Sequence, residues 1–94
     1  MSNQKIISEF ERLLAYIKNE TENLTDKKEI SKNNFRTRQI SNVIILLKKF
    51  PKKINKKNLN EVGEIRGIGK SSIERIKEIL EKGKLSELGS FVDT

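Results

Sequence analysis

Cysteine, histidine and tryptophan are all missing from this 94-residue chain, and proline and methionine occur once each. Without cysteine there is no disulfide and no thiolate zinc site. Without histidine, both the usual nitrogen ligand for zinc and the usual near-neutral general base are gone. Any enzymatic chemistry has to use lysine, carboxylates, serine or the single tyrosine, Tyr16. Apolar residues are few as well: 34% of the chain is hydrophobic and 35% charged. A single domain spanning residues 1–94 with a lean core is what such a chain can build. No apolar run approaches membrane-spanning length, and the N-terminus has no signal-like apolar stretch. A soluble, intracellular monomer with no membrane partner is therefore expected.

Positive charge is what the chain has in excess. Twenty Lys and Arg stand against thirteen Asp and Glu, for a formal charge of +7 and a pI near 9.8. An imbalance of that size favours a polyanionic partner, nucleic acid before an acidic membrane surface. Abundant Lys, Asn and Ile also follow from an A+T-rich genome, so composition alone does not assign the partner.

Hydrophobic periodicity predicts an all-α fold of four helices with connecting loops. Ile6, Phe10, Leu13, Leu14 and Ile17 form one face of a first helix, with Glu9, Glu11, Arg12 and Lys18 opposite and Ser2 or Asn3 as its cap. Asn19 to Asp26 lose the pattern and read as a fraying end and a loop. A second helix is expected from about Ser31 to Lys49, with Ile40, Val43, Ile44 and Leu47 as its core stripe and Phe35 and Ile45 on the margins. Pro51 stops it. The stretch 48–57 then carries six lysines and no acid, anchored by Phe50 and Ile54. A solvated loop is the plain interpretation; a basic surface feeding the next element is the functional one.

A short helix over Asn58 to Val62 is expected to end at Gly63 as a left-handed cap. The pattern then tightens into Gly67-Ile68-Gly69 and opens at once into a helix from Lys70 to Lys82. On that helix Ile73, Ile76, Ile79 and Leu80 face the core, while Glu74, Arg75, Glu78, Glu81 and Lys82 face water. Gly83 caps its end, and Leu85 and Leu88 dock back. Two glycines one residue apart admit backbone conformations closed to other residues. The helix behind them aims unpaired N–H groups and a positive dipole end outward, which suits a phosphate. A dinucleotide fold would need a preceding strand and a third glycine, but Leu59 to Ile65 is short and polar and position 72 is Ser. Helix, glycine hairpin, helix is the context that fits, over about residues 56–82. An ordinary helix–helix turn is the alternative. Carbonyls of Gly63, Ile65 and Ile68, on the other side of the turn, could ligate a monovalent cation, Na+ or K+. No other cofactor is expected in this domain.

At Ile65-Arg66-Gly67-Ile68-Gly69-Lys70-Ser71-Ser72-Ile73-Glu74-Arg75-Ile76 the sequence resembles the helix-hairpin-helix motif. Its extension Glu78-Ile79-Leu80-Glu81-Lys82-Gly83-Lys84-Leu85-Ser86-Glu87-Leu88, with the upstream Phe50-Pro51 corner, is similar to the amino-terminal domain of family X DNA polymerases, the DNA polymerase beta group. The similarity runs from about Ile6 to Leu88. It implies the N-terminal fragment of a longer repair polymerase, whose Mg2+-dependent palm ninety-four residues cannot contain. It also implies DNA with a gap, nick or 5′-phosphate end as the partner. The implied contacts are Phe35, Arg36, Arg66, Gly67, Ile68, Gly69, Lys70, Ser71 and Arg75, with Lys52, Lys53, Lys56 and Lys57 from the basic stretch.

Several members of that family also remove a 5′-deoxyribose phosphate through a lysine Schiff base. The position matching that nucleophile is Arg75, whose guanidinium stays protonated and cannot form an imine. Ser71, Arg36 and Glu87 stand where other lysines of the family's pocket lie, and Phe35 replaces a stacking histidine. Arg66 replaces the proline usual before the first glycine. Lys70, beside the positive end of the helix dipole, is the remaining candidate for an imine-forming amine. A DNA-gripping module without lyase action is thus the leading expectation. A lyase using Lys70 and a helical protein-interaction module are the two alternatives.

Overall fold

The computed structural model describes residues 3–83 and Leu85. It is all-α, with α1 over Gln4–Glu22, α2 over Lys27–Lys49, α3 over Leu59–Gly63 and α4 over Lys70–Lys82. No strand occurs among the described residues. The two long helices, α1 and α2, pack along one another. The α3–turn–α4 hairpin closes over them, with α4 touching both α1 and α3.

The apolar stripes meet as their spacing predicts. Ile6, Phe10, Leu13 and Ile17 of α1 and Ile40, Val43, Ile44 and Leu47 of α2 are buried. Val62, Ile68, Ile76 and Ile79 of the hairpin join the same cluster. Leu14, Tyr16, Phe50, Ile65, Ile73 and Leu80 pack partly buried against it. Ile54 is fully enclosed, so the basic stretch is pinned to the core from within.

Helix boundaries depart from the pattern in two places. α1 runs on to Glu22, through residues expected to form a loop. Its last turn is closed by side chains instead of apolar contacts. Thr21 Oγ1 donates to the Ile17 carbonyl at 2.7 Å and Asn23 Nδ2 to that of Asn19 at 3.2 Å. α2 begins four residues before Ser31, because Asp26 is a working N-cap: its Oδ1 accepts the Lys28 N–H at 3.0 Å, with Glu29 in the first turn. Pro51 does end α2, since Phe50 before it is already extended at ψ 123°.

The expected left-handed cap at Gly63 is not formed. Gly63 is the last residue of α3, and positive φ occurs only at Gly67 and Gly83 among the described residues. Glu64 continues in the right-handed region and donates its N–H back to Asn60 and Glu61, so the chain needs no reversal there. Gly83 is the left-handed cap of α4, as its position implies. Leu85 docks back and is fully buried, whereas Leu88 and Ser2 lie outside the described residues.

Glu9 overturns its placement on the polar face of α1. It is only 2% exposed, because it lies one residue before Phe10 at the edge of the apolar stripe. Its Oε2 accepts from Arg12 Nη1 at 2.9 Å and its Oε1 from the Leu85 N–H at 3.3 Å. A buried carboxylate with two charge-assisted partners is tolerable; removing it would strand the Leu85 N–H. Asn3 has a similar tying role. It stands at the N-cap position of α1 without making a side-chain cap bond. Instead its Oδ1 accepts the Ile54 N–H at 2.8 Å and its Nδ2 donates to the Lys52 carbonyl at 2.9 Å.

Replacing Glu9 by Ala should lower unfolding free energy by about 2 kcal/mol, since it orphans one buried amide and one arginine contact. Urea denaturation checks this, and a loss under half a kcal/mol would contradict the buried-carboxylate account. At the hairpin, Gly67→Ala should cost about 1–3 kcal/mol. The reasons are φ 104° and a new Cβ 3.1 Å from Leu46 Cδ1. Gly69→Ala, with no atom within 4 Å of its Cβ and no positive φ, should cost far less.

Candidate nucleic-acid interface

The hairpin turn is closed by the Ile68 N–H donating to the Ile65 carbonyl at 3.1 Å. That bond puts Arg66 and Gly67 in the middle of a four-residue turn. The third residue of such a turn is where positive φ arises, and Gly67 supplies it at 104°. Proline at the second position would preset φ; Arg66 leaves it free and adds an exposed cation. The two glycines thus have different jobs. Gly67 satisfies the backbone, while Gly69 is extended at φ −92° and ψ 178° and serves as the N-cap of α4.

As an N-cap, Gly69 offers no side chain to α4. The first intrahelical bond runs from the Ile73 N–H to the Gly69 carbonyl at 3.1 Å. The N–H groups of Lys70, Ser71 and Ser72 precede it and meet no acceptor among the described residues. Ile68 is 5% exposed and anchors the turn in the core, leaving Gly67, Gly69, Lys70 and Ser71 at the surface. The amides and the positive end of the α4 dipole thus have exposed Lys70 and Arg66 nearby in sequence, a combination that suits an anionic oxygen.

A second feature lies between α2 and α4. Arg36, Gln39 and Ile40 of α2 and Ser71 and Arg75 of α4 line a groove of about 180 Å³. Among the described residues no carboxylate lines it. Arg36 and Arg75 are both half-buried, so Arg75 does not simply face water as the helical pattern implies. Glu78, also expected to face water, is half-buried too. A wider depression of about 510 Å³ follows the outer side of α4, but Glu74, Glu78 and Glu81 share it with Arg75, Lys77 and Lys82. Mixed charge makes that larger depression the poorer seat for a polyanion. Phe35 stands 57% exposed beside Lys28 and Lys32 on α2.

The basic stretch is held by asparagines. Besides the Asn3 clasp, Asn58 Oδ1 accepts the Asn55 N–H at 2.9 Å, and Asn55 Oδ1 accepts those of Lys57 and Asn58 at 2.9 and 3.1 Å. Asn58 Nδ2 donates to the Lys53 carbonyl at 2.8 Å. Half of its lysines are matched by acids: Lys48 with Glu11, Lys52 with Glu61 and Lys56 with Glu81, at 3.1–3.6 Å. Lys49, Lys53 and Lys57 have no such partner among the described residues. Glu81 lies eleven residues beyond Lys70, so Lys56 reaches α4 about 16 Å from its N-terminus. Lys56 is therefore held toward the far end of α4 from the hairpin.

Residue spacing offered Asn3 only as a helix cap and Glu9 only as a polar-face residue, and it did not single out Asn33 or Gln39. Asn33 is buried in α2 and bonded to Glu20 and Arg36. An Asp26-x-x-Glu29 capping signature was present for the start of α2, but nothing local marks an asparagine as buried. No group of three or more carboxylates suited to a metal ion occurs among the described residues, and no helix there is long and apolar enough to cross a membrane.

No curated protein and no solved structure gives a significant match to this sequence. A family model described as helix-hairpin-helix domain matches residues 1–85. That span covers α1 to α4 and reaches Leu85, so it takes in the clasped basic stretch as well as the hairpin. Membership points to DNA as the partner. The chain belongs to the helix-hairpin-helix domain family.

Proposed function

We propose that this domain holds DNA at a break, as the amino-terminal module of a family X-type repair polymerase. Amides at the start of α4, with Lys70 and Arg66, take a phosphate of the backbone without reading bases. The groove of Arg36, Ser71 and Arg75 takes the 5′-terminal phosphate of a gap or nick. One observation carries this reading: two half-buried arginines from different helices line one groove together with Ser71 and Gln39. Guanidinium pairs match phosphate oxygens with forked hydrogen bonds and keep their charge at any working pH. Exposed Phe35 offers a stacking face for an unpaired base, and Lys49, Lys53 and Lys57 extend the phosphate track.

Among the described residues no lysine lines the groove, so none of them brings the amine a Schiff base needs into it. Grip without lyase action is the function the site supports. The carbonyls of Gly63, Ile65 and Ile68 remain the donors a monovalent cation would use behind the turn. That of Ile65 keeps one lone pair after accepting the Ile68 N–H.

Affinity for gapped DNA should fall steeply with salt and should be higher with a 5′-phosphate than with a 5′-hydroxyl. Arg75→Ala should flatten the log–log salt slope by about one unit. Binding indifferent to both salt and the 5′-phosphate would refute the assignment. Borohydride trapping on an incised abasic substrate should give no adduct; an adduct lost in Lys70→Ala would restore the lyase reading.

Gly69→Asp separates fold from function. A carboxylate at the N-cap should occupy the α4 amides and leave stability equal or a few tenths of a kcal/mol higher. It should also repel the phosphate, weakening DNA binding by roughly tenfold or more. Thermal melts and fluorescence anisotropy on the same preparation check the two halves. Unchanged affinity would remove the hairpin amides from the interface.

A further inference from the structure

We infer that Asn33 is a positioning residue for Arg36, holding its guanidinium in the α2–α4 groove without neutralising it. This rests on the proposed reading of that groove as a phosphate seat. Asn33 is 6% exposed although the apolar stripe of α2 begins only at Ile40. A buried carboxamide must find partners for both ends. Its Nδ2 donates to Glu20 Oε1 at 3.1 Å, and its Oδ1 accepts from Arg36 Nη1 at 3.4 Å. The orientation of the amide follows from chemistry. A carboxylate only accepts and a guanidinium only donates, so the NH2 must face Glu20 and the oxygen must face Arg36.

The relay ties the last turn of α1 to the groove through one neutral group. Neither neighbouring side-chain type would serve. Aspartate at 33 would repel Glu20 and form an i,i+3 ion pair with Arg36, drawing the guanidinium's charge away from a ligand. An apolar residue would leave Arg36 free to explore its rotamers, so that ordering it would fall to the binding step. With the amide between them, the Glu20 carboxylate polarises the acceptor while staying one residue removed from the phosphate.

The readout is the ratio of affinities for gapped DNA carrying a 5′-phosphate and a 5′-hydroxyl, measured on the full chain by anisotropy. Asn33→Ala should lower that preference about fivefold, the scale of one net hydrogen bond. Asn33→Asp should lower it further. In a double-mutant cycle, Asn33→Ala should add nothing to Arg36→Ala, because the first acts through the second. A lowered melting temperature with an unchanged ratio would make Asn33 merely structural and overturn the proposal, as would full additivity with Arg36→Ala. If Asn33→Ala does not fold, Glu20→Ala, at an exposed position, tests the same relay. A reduced ratio supports the relay and an unchanged one overturns it. An Arg36→Ala variant that itself keeps the 5′-phosphate preference would instead refute the phosphate seat.

Discussion

Burial of Ile68 is the constraint on which the rest of the hairpin depends. The side chain enters the core from between two glycines, and the turn can only close around it if Gly67 takes a positive φ. Enclosing one isoleucine is worth roughly 1.5–3 kcal/mol, which helps to hold the six-residue connection 64–69 in a single arrangement. The same insertion turns the opposite edge of the turn outward, so the first amides of α4 face solvent. Core packing and the outward placement of the hairpin's glycines are thus two sides of one backbone conformation. Val62 and Ile76, buried on either side in sequence, keep α3 and α4 in the register that makes it possible.

Electrostatics divide the surface more finely than net charge suggests. Six lysines between 48 and 57 look uniform, yet three are matched to acids on α1, α3 and α4. Such exposed pairs add little stability. Their effect is to spend part of the excess charge locally and to leave Lys49, Lys53 and Lys57 facing out. The α2–α4 groove differs, with two arginines and, among the described residues, no carboxylate lining it. The distribution of acids around each cation therefore differs from one part of the surface to the next, which net charge alone does not show.

Periodicity captured the four helices and nearly all of the core because each stripe is a repeat of apolar side chains at 3–4 spacing. α4 was legible to its end residues, bracketed by Gly69 and Gly83. The failures cluster where polar side chains do structural work. Thr21 and Asn23 extend α1 beyond its apolar pattern, Asp26 starts α2 early, and Gly63 looked like a cap only because glycine often is one. Glu9 and Asn33 went unread because burial of a polar group depends on partners more than ten residues away. For the candidate site, the glycine hairpin singled out Gly67 to Ser71, and the family resemblance singled out Arg36 and Arg75. That Arg36 and Arg75 share a groove with Gln39, and that Lys56 reaches the far end of α4, were not identifiable.

Asn3 and Glu9 each hold a segment far along the chain, with separations of 49 to 76 residues. Contacts that span so much sequence close the largest loops and come late in folding, after the α1–α2 pair and the local hairpin have formed. The basic stretch and the Leu85 region are therefore fastened onto a helical body already in place. Both fastenings engage the N-terminal half of α1 or the residue before it. The first dozen residues act as a clasp for two distant parts of the chain, and loosening them would free the lysine-bearing loop and Leu85 together while the hairpin stays closed.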